Sequence, residues 1–108
     1  MPVTVKLKNN VITAFIKGEI DHHTAPELRS IIDDAVSAYD DAAELVLDFS
    51  GVTFMDSSGV GLVMGRYRTA LSCGKTLSVK NLGERDYRIM KMSGIEKIAS
   101  VGRRGQGE

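Results

Sequence analysis

Alternating apolar and polar residues at the start of the chain predict a β-hairpin. Val3, Val5 and Leu7 alternate with polar side chains, which is typical of a half-buried strand. Asn9-Asn10 is a turn signal, and residues 11–17 then predict a second strand.

Two later apolar segments predict further strands. Residues 45–49 are almost continuously apolar, so they predict a central strand that is covered on both faces. Leu77 and Val79 mark a fourth strand. A short closing segment, whose type the pattern leaves open, carries Ile95, Ile98 and Val101.

Between these strands, apolar residues recur at helical spacing in three segments. The first stripe covers residues 28–39, and Thr24 and Glu27 before it have the spacing of a capping box. The other helices are predicted over residues 59–73 and 84–93. Strands that alternate with helices predict an α/β fold. We expect a single domain with a mixed, mostly parallel sheet of four to five strands, an N-terminal hairpin and three or more helices.

The domain is expected to cover residues 1–101, because residues 102–108 contain no apolar side chain and predict a flexible C-terminal tail. In such folds, ligands and partners bind at the carboxyl ends of the strands.

Charge and composition narrow the function. Fourteen basic and fourteen acidic residues cancel, whereas a nucleic-acid-binding protein usually has a basic excess. The single cysteine excludes an internal disulfide and favours a reducing compartment. The sequence shows neither a signal peptide nor an apolar run long enough to cross a membrane. We therefore expect a cytoplasmic protein that binds neither nucleic acid nor membrane.

The most informative stretch is Phe-Met-Asp-Ser-Ser-Gly-Val-Gly at residues 54–61, between a predicted strand and a predicted helix. Asp and Ser are favoured at helix starts, where free amide groups and the helix dipole stabilise an anion. A phosphate on Ser57 or Ser58 would suit this position. Gly59 and Gly61 each weaken a helix by about 1 kcal/mol relative to alanine, which makes sense if another backbone approaches closely.

Other candidate chemistries fail on spacing. The glycines after the strand do not complete a dinucleotide-binding motif, and residues 74–76 follow a helix rather than a strand, unlike a phosphate-binding loop. No serine lies in a Gly-x-Ser-x-Gly motif. His22-His23 point in different directions, and no further histidine exists to complete a metal site. We therefore predict no catalytic residue, no cofactor and no metal.

Residues 54–61 resemble the phosphorylation motif of bacterial anti-sigma factor antagonists, which belong to the STAS domain family. Residues 18–25, Gly-Glu-Ile-Asp-His-His-Thr-Ala, resemble the second loop of that family, and residues 65–67 and 92–95 also match. The resemblance spans residues 3–101. The Asp-His-His-Thr-Ala element resembles the sporulation branch, whose antagonist frees sigma F.

This resemblance implies a regulatory switch rather than an enzyme. The unphosphorylated protein would bind an anti-sigma factor and free the sigma factor held there. That anti-sigma factor would also be an ATP-dependent serine kinase, and a separate serine phosphatase would reset the switch. The acceptor would be Ser57, although the residues alone leave Ser57 and Ser58 open. The expected partner surface joins the two loops: Asp21, His22, His23, Thr24, Met55, Asp56, Ser57, Ser58, Gly59 and Gly61.

Two alternatives stay open. One is a receiver-like domain phosphorylated on Asp48 or Asp56, although the first hairpin lacks the acidic cluster that such domains need. The other is a weak nucleotide-binding signalling module, against which the lack of a complete phosphate loop argues.

Overall fold

The computed structural model describes residues 2–105, in which five strands form one sheet. The strands are β1 (Val3–Lys8), β2 (Val11–Ile20), β3 (Glu44–Met55), β4 (Thr76–Leu82) and β5 (Ser100–Arg103). The helices are α1 (Ala25–Ala38), α2 (Ser58–Ser72) and α3 (Glu84–Ser93), and a 3-10 turn, Ile95–Lys97, precedes β5. The closing segment is therefore a short turn followed by a fifth strand. Within residues 2–105, no helix has both the length and the apolar character needed to cross a bilayer.

The strands lie in the sheet in the same order as along the chain. β1 and β2 are antiparallel, and the remaining pairs are parallel. Since every helical crossover runs in the same direction, the right-handed rule places all three helices on one face. Burial along β2 agrees, because Ile12, Ala14 and Ile16 are buried while Phe15 and Lys17 are exposed. The predicted α/β class, mixed sheet and N-terminal hairpin are confirmed.

The central strand β3 is buried on both sides, but helices lie on only one of them. Leu45 and Leu47 are fully buried in the core beneath the helices. Val46 and Asp48 alternate with them and are also buried. The carboxylate of Asp48 accepts hydrogen bonds from Ser50 Oγ at 2.6 Å and from Asn81 Nδ2 at 2.8 Å. The polar side of β3 is thus held by side chains of the sheet itself.

Both β2 and β3 extend further than predicted, to Ile20 and Met55. The pairing between them shifts register at two points, one of them at Gly18, where φ is +91°. These irregularities interrupt the simple alternation of apolar residues, which is why the pattern ended early. Ile20 pairs with Met55, so the two strands end side by side.

The C-terminal boundary also differs from the prediction. β5 continues through Arg103, and Arg104 Nε donates a hydrogen bond to Asn81 O at 2.9 Å. A terminal nitrogen of Arg104 also donates to Phe49 O at 2.7 Å and to Val52 O at 3.0 Å. Polar contacts rather than apolar burial hold this segment. A prediction that looks for apolar residues therefore assigns the segment to a flexible tail. Of that predicted tail, residues 106–108 lie outside the described residues.

Candidate functional site

Two strand-to-helix turns lie side by side at the carboxyl edge of the sheet. The Asp21 turn (residues 21–24) joins β2 to α1, and the Asp56 turn (residues 56–59) joins β3 to α2. The N–H of Asp56 donates to Ile20 O at 3.1 Å, which fixes the two turns next to each other. The structure thus brings the two predicted loops together at the edge where α/β proteins bind ligands.

The Asp21 turn is closed by reciprocal hydrogen bonds. Asp21 N–H donates to Thr24 Oγ1 at 2.9 Å, while Asp21 Oδ1 accepts the N–H groups of His23 and Thr24, both at 2.9 Å. The hydroxyl of Thr24 donates to Glu19 O at 3.0 Å. This is a capping box one turn earlier than predicted, since Thr24 makes no side-chain cap to α1 itself. Asp21 and Thr24 therefore have a structural task in addition to any contact with a partner.

The electrostatics of Asp21 follow from this turn. The hydrogen bond from the N–H of Thr24 lowers the pKa of Asp21 below its ordinary value, and the N–H of His23 adds to the effect against a partial loss of solvation. Asp21 is therefore ionised at neutral pH, with its charge directed at its own backbone.

The histidines of the Asp21 turn are exposed and contact each other. The ring centroids of His22 and His23 lie 4.1 Å apart with the planes tilted by 36°. Among residues 2–105, no cluster of three histidine, cysteine or acidic side chains has the arrangement of a metal site. The pair therefore presents two imidazole rings to the surface beside the Asp56 turn.

The Asp56 turn is capped by one carboxylate. Asp56 Oδ1 accepts the N–H of Ser58 at 2.7 Å, and Asp56 O accepts the N–H of Gly59 at 3.0 Å. Ser57 O accepts the N–H groups of Val60 and Gly61 at 3.1 Å and 3.3 Å. The expected outward-pointing amides of α2 are thus largely satisfied within the chain, which leaves fewer donors for an added anion.

The two serines differ in accessibility. Ser57 is exposed, and its hydroxyl has no hydrogen-bond partner within residues 2–105. Ser58 is half-buried and faces a groove between α1 and α2. An enzyme approaching from solvent therefore reaches Ser57 more readily.

Two residues of the predicted partner surface are internal. The side chain of Met55 is fully buried, and a Cβ atom added at Gly59 would lie 2.3 Å from its Cγ and Sδ atoms. A side chain at position 59 would thus have to displace the buried Met55, whereas a Cβ at Gly61 would meet no atom within 4 Å. Phe54 is exposed instead of Met55, because neighbours on a strand face opposite sides. Alternation would have shown this if the strand had been predicted to reach residue 55.

An arginine from α3 also reaches this edge. Arg85 donates to Met55 O at 3.0 Å, and its guanidinium lies 5.8 Å from the ring centroid of Phe54. The positive charge of Arg85 and the exposed ring of Phe54 thus lie beside the two turns. Sequence reasoning missed it, because nothing in the pattern of α3 indicates which strand end the residue approaches.

Asp48, one of the two acceptors in the receiver-like alternative, is buried and accepts hydrogen bonds at both carboxylate oxygens. A kinase or phosphodonor could not reach it without displacing the side chains of Ser50 and Asn81. This geometry disfavours phosphorylation of Asp48, and so weakens the receiver-like alternative.

Comparison with known proteins matches nearly all of the described chain to a single domain family. The family model described as "Mlab, STAS domain" matches residues 3–101. The anti-sigma F factor antagonist of Paenibacillus polymyxa is 30% identical over 101 residues, covering 94% of this chain and 86% of that protein. The anti-sigma-B factor antagonist of Bacillus subtilis (strain 168) is 32% identical over 105 residues, covering 97% and 94%.

Solved structures agree. The anti-sigma factor antagonist SpoIIAA in its unphosphorylated form matches with a TM-score of 0.76 at 25% identity, over 92% of this chain and 86% of that chain. SpoIIAA in its phosphorylated form matches with a TM-score of 0.70 at 25% identity, over 92% and 89%. Both states of that protein thus share this fold.

Proposed function

Since the chain belongs to the STAS domain family, whose model matches residues 3–101, we propose that it is an anti-sigma factor antagonist. In this role the unphosphorylated protein binds an anti-sigma factor in the cytoplasm and so frees a sigma factor. It acts by binding and carries out no reaction itself. The Asp-His-His-Thr-Ala element favours the sporulation branch; similar relatives are named for sigma F and for sigma B.

The switch in this proposal is phosphorylation of Ser57 by the anti-sigma factor, acting as an ATP-dependent serine kinase, and reversal by a serine phosphatase. One observation carries it: Ser57 has an exposed hydroxyl without a partner in residues 2–105, at the edge where the two turns meet. The surface around it consists of the exposed parts of the Asp21 and Asp56 turns, together with Phe54 and Arg85.

Electrostatics explain how a phosphate would end binding. It adds about −1.5 to −2 charges at neutral pH next to Asp56 and beside the Asp21 turn. The first N–H groups of α2 already have acceptors, so they cannot all donate to the phosphate. The negative charge of the phosphate therefore remains exposed to the partner and repels it. Like charges facing each other in an interface cost several kcal/mol. The fold itself need not change, as the two SpoIIAA structures illustrate.

The test is phosphorylation by the candidate anti-sigma kinase with ATP, followed by mass mapping of the modified residue. We expect one phosphate on the parent protein, the same on Ser58→Ala and none on Ser57→Ala. The two variants remove the same atom from neighbouring residues, so each controls for the other. Full labelling of Ser57→Ala, with none on Ser58→Ala, would reverse the assignment; no labelling of the parent by any such kinase would remove the proposed switch.

A further inference from the structure

A groove of about 320 Å³ lies between α1 and α2, next to the two turns. Its walls carry three arginines, one histidine and the second serine of the motif: Arg29, Arg66, Arg68, His22 and Ser58. No acidic side chain lines it. The groove is therefore a positively charged recess in a protein whose net charge is zero.

Arg66 gives the groove a fixed charge. Its side chain is only 6% exposed, and its Nε lies 2.7 Å from Asp33 Oδ1. The two atoms form a close ion pair, although the N–H does not point along the line of a hydrogen bond. Asp33 is the sole partner that residues 2–105 supply, so the two terminal nitrogens of Arg66 have no acceptor. A guanidinium presents its donors in a rigid planar fork, and here that fork borders an open recess.

The charged groups around Arg66 favour the binding of an anion in the groove. Burial lowers the pKa of Arg66 below its usual value; Asp33 opposes this, while the charges of Arg29 and Arg68 add to it. Three guanidinium groups thus share a recess with one carboxylate at its margin, and that carboxylate is 35% exposed. A carboxylate ligand has two oxygens to offer, whereas a tetrahedral phosphate can accept from several donors at once.

We propose that this groove, which we call the Arg66 groove, binds a phosphate group, either free as inorganic phosphate or carried by a small molecule. The volume suits a phosphate with a small substituent, being at the lower end of small-molecule sites. Arg66 supplies donors from a largely buried side chain, and Arg29 and Arg68 supply exposed charge at the rim. The groove shares His22, Ser58 and Gly61 with the expected partner surface, but Ser57 is not among the residues that line it.

Titration of the purified chain with inorganic phosphate, followed by amide NMR, tests the proposal. We expect saturable shifts at Gly61 and Gly65, which line the groove, and no such shifts with sodium chloride at equal ionic strength. A parallel titration with ADP and with adenosine distinguishes the sources. Tighter binding of ADP than of inorganic phosphate indicates a carried phosphate, whereas equal binding indicates free phosphate. Binding of adenosine as tight as ADP would overturn recognition of the phosphate.

Variants locate the site. Arg29→Gln and Arg68→Gln should each weaken phosphate binding about threefold to tenfold, because each removes one charged donor at an exposed rim. Arg66→Lys keeps the charge but loses the fork, so it should weaken binding at least as much. Arg88→Gln is the matched control, since Arg88 is an exposed arginine of α3 outside the groove. Absence of saturable shifts in the parent, or equal weakening by Arg88→Gln, would overturn the proposal.

Discussion

The Asp21 turn and the Asp56 turn use the same device with different results. Each follows a parallel strand, and in each an aspartate accepts the N–H of the residue two positions later. Three positions after the aspartate, the first turn has Thr24, whose hydroxyl answers Asp21, and the second has Gly59, which has no side chain to answer with. The side chain at this position thus adds a reciprocal hydrogen bond to the first turn, and no such side chain exists in the second turn.

Packing disfavours a threonine at position 59. Met55 fills the space below the second turn and would overlap any Cβ atom there. Ser57 O accepts two backbone N–H groups, while the Ser57 hydroxyl remains unpaired within residues 2–105. The first turn is suited to support a surface, and the second to be modified.

The largest expected effect comes from placing the same negative charge in each turn. Ser57→Asp and His22→Asp alter the residue directly after each aspartate. We expect Ser57→Asp to weaken anti-sigma factor binding about a hundredfold, in line with like-charge repulsion in an interface. His22→Asp should weaken it less than about tenfold, because the charge lies in the supporting turn. Calorimetric titration of both variants checks this, and equal losses would show that the partner does not distinguish the turns.

Stability should separate the two glycines of the second turn. Gly59→Ala forces a Cβ atom against Met55 and should lower the free energy of unfolding by about 1–3 kcal/mol. Gly61→Ala meets open space and should raise it by up to about 1 kcal/mol through helix propensity. Urea unfolding measures both changes. If Gly59→Ala were as stable as Gly61→Ala, Met55 would not be the reason for Gly59.

Removing each capping carboxylate compares the turns themselves. Asp56→Ala loses one hydrogen bond to a backbone N–H and should destabilise the fold by about 0.5–2 kcal/mol. Asp21→Ala loses two such bonds, from the N–H groups of His23 and Thr24, so its melting temperature should fall further. Thermal unfolding followed by circular dichroism ranks the two variants. A lower melting temperature for Asp56→Ala would contradict the view that the Asp21 turn is the more tightly held.

The smallest effect is in the pH dependence of the first turn. Because folding lowers the pKa of Asp21, its contribution to stability is fully present above the unfolded value of about 3.9 and is lost as pH falls through the folded value. The stability difference between the parent and Asp21→Asn should therefore be constant near neutral pH and shrink below about pH 4. Urea midpoints measured across this range test the sign, and a difference that grows on acidification would contradict it.

Apolar periodicity was sufficient to predict the order of elements and the α/β class. It failed at the ends of β2 and β3, where bulges interrupt the alternation. That error hid the inward orientation of Met55 and the exposure of Phe54. The sequence predicts a capping box between Thr24 and Glu27, whereas the structure forms one between Asp21 and Thr24. Spacing alone cannot tell which of two candidate boxes, one turn apart, is formed.

The predicted loops could be brought together from the sequence, because parallel strands end at one edge of the sheet. The neighbours from other elements could not. Arg29 and Arg66 belong to different helices, and their shared groove depends on how α1 and α2 pack. The place of Arg85 at this edge likewise depends on its contact with the end of β3. The side chains that set the charge around the motif are therefore a tertiary property.

The order of the strands bears on how the chain is made. A ribosome releases the hairpin first, and each later strand can then add to a finished edge without separating two earlier strands. The last addition is β5, followed by Arg104, which reaches back to the carbonyl groups of Phe49 and Val52. Synthesis from the N-terminus can thus assemble the sheet stepwise. The contacts that tie its far edge to the middle form only when the arginine near the C-terminus has left the exit tunnel.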